Sequence, residues 1–388
     1  MTSTKCLAID QAISITNNGK ISPCCLIKHD EFQFVDASSI EKYKNSQWLA
    51  NIRSTMDQGL KPAECQECYS KEALGVPSIR TYLNTQLSNS NKIEYLDLRL
   101  GNVCNSDCAM CHPDWSSKIE HRIVTAKNLD IFPKHLINSD ITVTTQNQKW
   151  YNQDLFFNWF KSRAGDLKVL KFLGGEPFLV ENVEIWIDWL IQQGYSNNIT
   201  LHFNTNASLL DQEKMFLYTK KFKRIMIHAS ADGINDCFNY IRHGLSWDIV
   251  EKNILKYRDY SLAFHNKFNI TILCVVQTYN LMYLIDLLKW NEQYNISINW
   301  IFPTIPKYLN VQNFENKQII QDVIENLEKF KQETDTQLTI VNELITYLNG
   351  CLKINFYPPK EFDDYTDYMN SFRTLKFDSR TLQLQIIN

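Results

Sequence analysis

From Ile93 onward the sequence alternates short apolar runs with helical patterns, and this alternation limits the chain to a small group of folds. The runs are Ile93 to Leu100, Leu167 to Leu173, Ile199 to Phe203, Arg224 to His228, Phe268 to Val276 and Ile296 to Phe302. Between them lie helical stretches such as Asn182 to Gln193, Asp211 to Lys221, Asp236 to Tyr257 and Asn280 to Tyr294. Strands that alternate with helices predict a parallel sheet with covered faces, hence an α/β fold. The six repeats fall short of the eight that close a full barrel, so an incomplete barrel is expected, with its chemistry at the C-terminal ends of the strands. Beyond Thr304 the pattern becomes mostly helical, over Lys317 to Gln332, Leu338 to Leu348 and Pro359 to Phe372. In the last of these, Phe362, Tyr365, Met369 and Phe372 recur at helical spacing. That apolar stripe is expected to be core.

The loop after the first run holds Cys104, Cys108 and Cys111 in a C-x3-C-x2-C spacing. Three thiolates suit an iron–sulfur cluster that wants four ligands, and they leave one iron open. By themselves they also suit a zinc site or buried thiols. Three further segments lie at strand ends. Leu170 to Leu173 runs into Gly174, Gly175, Glu176 and Pro177; paired glycines let a backbone approach a ligand closely, and the proline ends the strand. Ile199 to Phe203 ends in Asn204, Thr205, Asn206 and Ala207. Asn204 and Asn206 share a strand face. Ile225 to Ala229 leads to Ser230, Ala231, Asp232 and Gly233, with Arg242 downstream; Ser230 and Asp232 share a face in the same way.

These four segments, in this order, resemble the radical S-adenosylmethionine (radical SAM) superfamily. The resemblance implies a (β/α)6 partial barrel and a 4Fe–4S cluster on Cys104, Cys108 and Cys111 whose open iron chelates SAM. It implies that reduction cleaves SAM to a 5′-deoxyadenosyl radical, which takes a hydrogen atom from the substrate. Gly174 to Pro177 matches the motif that holds the SAM amino group. Asn204 and Asn206 match the strand end near the ribose and carboxylate, with Ala207 in place of the family's glycine. Ser230 and Asp232 match a strand beside the SAM carboxylate and ribose, and Arg242 becomes the carboxylate partner, a role suited to a fork of donors. Met110, where an aromatic residue is more frequent, retains a backbone contact to the adenine edge.

The first ninety residues carry a second cysteine set: Cys6, then Gly19, Cys24 and Cys25, then Cys65 and Cys68. Asn17-Asn18-Gly19 predicts a hairpin over Gln11 to Pro23, which brings Cys6 and Cys24 together, with Cys65 and Cys68 as two further ligands. The arrangement resembles the twitch auxiliary-cluster module, related to the larger SPASM module, and implies a second 4Fe–4S cluster. Here the module precedes the barrel instead of following it. A structural zinc on the same cysteines is the alternative, as is Cys25 in place of Cys24.

The expected division is therefore a cysteine-rich module over 1–90, a radical SAM partial barrel over 91–305 and a mostly helical extension over 306–388. The long connection between Ser116 and Phe160 reads either as a lid or as a surface decoration. Cys237 and Cys274 read as buried hydrophobes, and no catalytic side chain is assigned. A formal net charge of −3 over 388 residues argues against a dominant nucleic-acid surface. No signal peptide or bilayer-length apolar run is evident, so reduced cysteines in a cytoplasmic protein are expected. Family members with such modules often act on peptides or proteins, which makes a peptide or protein the first expected substrate. A small metabolite of sugar or nucleotide type is the alternative, and a non-catalytic iron–sulfur or zinc scaffold the third. The electron is expected from an external donor such as flavodoxin or ferredoxin.

Overall fold

The computed structural model describes residues 4–27, 31–73, 77–88, 90–128, 133, 149–152, 154–303, 305–334, 338–354 and 359–386. In chain order the helices are α1 (Ala8–Gln11), α2 (Ala37–Lys44), α3 (Gln47–Asp57), α4 (Gln66–Ala73), α5 (Ile79–Gln86), α6 (Ser117–Asn128), α7 (Asp154–Arg163), α8 (Glu181–Gln192), α9 (Gln212–Lys221), α10 (Asn235–Ile241), α11 (Trp247–Phe264), α12 (Leu284–Tyr294), α13 (Lys317–Glu333), α14 (Leu338–Leu352) and α15 (Pro359–Asn370). The strands are β1 (Ala12–Ile15), β2 (Ile21–Ser22), β3 (Tyr95–Arg99), β4 (Val169–Leu173), β5 (Thr200–Thr205), β6 (Arg224–Ser230), β7 (Phe268–Val275), β8 (Ser297–Ile301), β9 (Leu375–Asp378) and β10 (Gln383–Ile386). Two compact units emerge, Met1–Val103 with Thr144–Asn204 and Asp211–Met226, and Cys104–Val143 with Thr205–Leu210 and Ile227–Asn388.

In the first unit the strands run in the order β2-β1-β3-β4-β5. The hairpin forms where Asn17-Asn18-Gly19 predicts it: β1 and β2 are antiparallel, and Gly19 turns with φ +86°, a conformation that favours glycine. β1 then pairs with β3 in parallel, as β3 does with β4 and β4 with β5. The two faces differ. Phe172 of β4 stands 6.2 Å from Trp186 of α8 and 5.8 Å from Phe203 of β5, centroid to centroid. Phe156 and Phe160 of α7 close on the same Trp186 at 5.2 and 5.6 Å. Each such buried aromatic contributes roughly 1.5–3 kcal/mol of transfer free energy, so this face holds the helices on. On the other face the register aligns Ser14, Asp97, Lys171 and His202 in one cross-strand row. β6 begins in this unit and ends in the other.

In the second unit β7 and β8 are parallel. Alternate residues of β7 are buried, from Phe268 to Cys274, as period-2 side chains require when one face is covered. Helices α13 to α15 make this region largely helical. It also contains the antiparallel pair β9–β10, which the apolar pattern does not announce. Asn370 at the end of α15 anchors it: its Nδ2 donates to the Phe377 carbonyl at 2.9 Å and its Oδ1 accepts from the Phe377 N–H at 3.0 Å.

Two expected helices take a different form. The stretch Asp236 to Tyr257 is divided into α10 and α11, because Gly244 at φ +90° leaves helical space and Asn239 Oδ1 accepts the Trp247 N–H at 2.8 Å to start the second helix. The stretch from Asn280 opens with a 3₁₀ segment, Thr278–Tyr283, before α12. Most of the polar connection around Asn128 to Gln148 lies outside the described residues. No helix among the described residues is long and apolar enough to cross a membrane.

Candidate active site

In the second unit the cysteine loop is laced to the chain between α10 and α11. Asp107 N–H donates to the His243 carbonyl at 3.0 Å and Ala109 N–H to the Ile241 carbonyl at 2.8 Å. Ser106 Oγ sits between two thiols, 3.3 Å from Cys104 Sγ and 3.5 Å from Cys108 Sγ. Cys111 N–H turns back to the Cys108 carbonyl at 3.0 Å. Burial pushes the Cys108 and Cys111 thiols up, each further raised by its neighbouring cysteines. A metal bound by these thiols would need them as thiolates and would displace their protons on entering.

Arg242 is the hub of this loop and is buried, not on a helix surface. Its Nε lies 2.8 Å from Asp232 Oδ2, and its Nη1 points at Cys108 Sγ at 3.8 Å. Neither Arg242 Nε nor Asp232 Oδ2 makes an aligned hydrogen bond, so the pair is charge against charge. Burial raises Asp232 and Arg242 opposes that rise. Burial likewise disfavours the guanidinium, but Asp232 and then Cys108 more than offset it and the Arg242 pKa goes up. Asp232 is further fixed by the Val275 N–H at 2.8 Å. Asn206 is also tied to the cysteine loop: its Nδ2 donates to Asn105 Oδ1 at 2.7 Å and its Oδ1 accepts the Ser208 N–H at 2.9 Å. Ala207 keeps the turn by adopting φ +58°, held by Asn253 Nδ2 on its carbonyl at 2.8 Å. Ser230 ends β6 half-buried, and Met110 is half-buried beside Cys111.

In the first unit, Gly174 to Pro177 packs backbone on backbone against the residues that lead into Cys104. Gly174 has φ +132°, and a Cβ there would lie 2.9 Å from Leu100 N. A Cβ on Gly175 would fall 2.1 Å from the Val103 carbonyl oxygen, while Glu176 N–H donates to that oxygen at 2.8 Å. Glu176 is fully buried, its Oε1 accepting the Phe178 N–H at 3.2 Å, and Pro177 opens a 3₁₀ turn. Asn204 Oδ1 is buried without a hydrogen-bond partner. Gly175→Ala is expected to lower stability by about 3 kcal/mol, since the carbonyl it meets is backbone and cannot rotate away. Urea unfolding checks it, and an unchanged unfolding midpoint would refute the close packing.

The second cysteine set also lies in the first unit. Cys6, Cys24, Cys65 and Cys68 line one largely apolar cavity, with Arg80 of α5 at its wall. Burial raises Cys6 to about 11 and Cys65 to about 12, with neighbouring cysteines adding to each. Arg80 is held by Glu72 and donates to the Lys5 carbonyl at 2.7 Å. Four soft donors with one adjacent cation suit a negatively charged cluster. Cys25 does not line this cavity; its charged neighbours are Asp97, Lys171 and Arg99. Among the described residues no three Cys, His, Asp or Glu side chains converge as a single ion requires.

Residues 98–290, about half the chain, match the family described as the Radical SAM superfamily. The chain belongs to the radical SAM superfamily. It is 24% identical over 252 residues to GTP 3′,8-cyclase of Campylobacter lari, an alignment covering 62% of this chain and 65% of that protein. Among solved structures it is similar to anSMEcpe with bound AdoMet and the Cp18Cys peptide, at 17% identity and a TM-score of 0.37, covering 60% of this chain and 59% of that one. It is also similar to Streptococcus suis SuiB bound to the precursor peptide SuiA, at 13% identity and a TM-score of 0.36, covering 96% and 76%. This radical SAM chain thus spans less than two thirds of the curated relative it matches.

Several residues that hold the cysteine loop of this radical SAM chain carry no motif. Tyr365 of α15 donates from its hydroxyl to the Ala109 carbonyl at 2.7 Å. Arg373 is buried, donates to the Asp107 carbonyl at 3.3 Å and also bonds the Tyr240 carbonyl. The Asp107 carboxylate takes Arg122 and, at 2.8 Å, His243 Nδ1. Burial, then Arg373 and Arg122, push His243 down to about 4, so at neutral pH its ring is uncharged and Nδ1–H donates to Asp107. An aromatic at helical spacing marks Tyr365 only as core; nothing in the sequence marks its hydroxyl.

Proposed function

We propose that this chain reductively cleaves SAM at a 4Fe–4S cluster on Cys104, Cys108 and Cys111 and abstracts hydrogen from a peptide or protein. The carrying observation is the three-thiol loop clasped to Arg242 and Asp232, which offers three ligands and keeps a charged pair at their side. When bound, the cluster supplies the electron that breaks the sulfonium bond, and its open iron the seat for SAM. The chain's own residues do the rest. Arg242 and Asp232 fix the charge beside the thiols, Asn206 braces the loop through Asn105, and the Gly174 to Pro177 turn sets the backbone that enters it. By the family resemblance, Glu176 and Asn204 of the first unit and Met110 and Ser230 of the second are the further candidates for SAM contact.

A second cluster on Cys6, Cys24, Cys65 and Cys68 belongs to the same reading, in the manner of a twitch or SPASM module; it is supported by the common cavity of the four thiols. Resemblance to those modules favours a peptide or protein substrate. A nucleotide-type metabolite is the second reading, favoured by the likeness to a GTP 3′,8-cyclase. The electron would come from a flavodoxin or ferredoxin in the cytoplasm.

The test is anaerobic incubation with SAM and dithionite, with and without candidate substrates, reading 5′-deoxyadenosine; none above the level of a protein-free control would remove the reaction. Metal content tests the second cluster. Reconstituted protein should carry about eight irons, falling to about four when Cys65 and Cys68 are both alanine. About four irons and one zinc in the unaltered protein would assign the N-terminal set to zinc.

A further inference from the structure

We infer that the face of the first unit's sheet opposite Trp186 carries an oxyanion-binding subsite for the substrate, formed by Arg99 and Lys171 around Asp97 with Ser14 beside them. It rests on the proposed function and names the group by which the substrate is held: a carboxylate or a phosphate.

The register places Ser14, Asp97 and Lys171 side by side on β1, β3 and β4, and Arg99 two residues further along the same face of β3. The opposite face is occupied by Phe172 and the helix residue Trp186, so this row lies on the side away from α8. Lys171 Nζ is 3.8 Å and Arg99 Nε 4.0 Å from the Asp97 carboxylate, longer than the 2.7–2.9 Å or so of a charged hydrogen bond. Asp97 Oδ1, Arg99 Nε and Ser14 Oγ are all buried without a hydrogen-bond partner. Ser14 and Asp97 are 1% and 2% exposed. Buried polar atoms are rarely left so, and three on one face indicate a group still to be received.

The sign of that group follows from the charges. Two cations face one carboxylate, a surplus of one positive charge. A buried surplus charge is costly unless paired, so the complement is an anion. Arg99 presents a planar fork and Lys171 a point charge, a combination that suits carboxylate and phosphate alike. Asp97 keeps the two cations from parting, and Ser14 offers a hydroxyl.

The test is anaerobic calorimetric titration of reconstituted, SAM-loaded protein with two probes, inorganic pyrophosphate and N-acetylglycine. Saturable binding of one probe is expected, pyrophosphate identifying a phosphate-bearing substrate and N-acetylglycine a carboxylate-bearing one. Arg99→Gln and Lys171→Gln should each weaken it at least about tenfold, while Lys171→Arg stays within about threefold. If one glutamine variant does not fold, the other with Lys171→Arg decides. The subsite is overturned if neither probe binds, if both glutamine variants bind as the parent does, or if SAM affinity falls in step with probe affinity, which would assign the row to the cofactor. 5′-Deoxyadenosine release by the parent protein is read in parallel. Release without probe binding removes the subsite alone; probe binding without release removes the proposed reaction alone.

Discussion

Cys108→Ala protein is expected to hold about four irons in place of about eight and to release no 5′-deoxyadenosine from SAM and dithionite. Cys108 is the most constrained of the three thiols: buried, 3.5 Å from Ser106 Oγ and 3.8 Å from Arg242 Nη1. No other cysteine is positioned to replace it within the loop, since Cys104 and Cys111 are needed themselves. The change removes a ligand and leaves the backbone laces of Asp107 and Ala109 intact, so circular dichroism should match the parent. Release equal to the parent's would defeat the assignment of the SAM-binding cluster. Loss of all iron, by contrast, would tie the N-terminal set to the integrity of this loop.

Arg242→Ala is expected to cost about 3–5 kcal/mol of stability, because it strips a fully buried carboxylate of its counter-charge. An arginine on a helix surface would change stability by less than about 0.5 kcal/mol. Position distinguishes this from a pure loss of cofactor contact: the guanidinium lies between Asp232 and Cys108, so iron content and SAM affinity should fall together. Urea unfolding of metal-free Arg242→Ala, Asp232→Asn and the double variant reads the pair directly. The double variant should lose less than the sum of the singles, by about 1–3 kcal/mol. Strict additivity would mean the two charges do not support each other.

The sheet and the motif strands were legible because short apolar runs between helical patterns, seen as strands of five to eight residues, have one economical fold. The thiols, Arg242 and Asp232 were brought together in the sequence only by the family resemblance, and in the structure Arg242 lies within 3.8 Å of Cys108 Sγ and 2.8 Å of Asp232 Oδ2. What escaped depends on distant partners. β1 joining β3 in parallel is written in neither strand, since a four-residue apolar run pairs with any edge of suitable register. The choice of Cys24 over Cys25 for the cavity turns on one residue of chain direction after β2. The β9–β10 pair is short, and its anchor is an asparagine, a residue that signals only a turn. Gly244 did mark the break between α10 and α11, but a lone glycine within a helical pattern is often tolerated.

The bonds from Tyr365 and Arg373 to the carbonyls of Ala109 and Asp107 span 256 and 266 positions of sequence. During synthesis the three cysteines leave the ribosome long before either partner exists. The loop therefore passes through a period in which its thiols are made but its carbonyls are unsecured, and iron, if these thiols hold it, would enter without first prising the loop from its clasp. Once residues beyond Tyr365 have folded onto it, the same clasp would slow the loop's opening and with it the escape of any metal held there. Damage to the C-terminal region would thus register as a protein that loses iron, although every ligand is still in place.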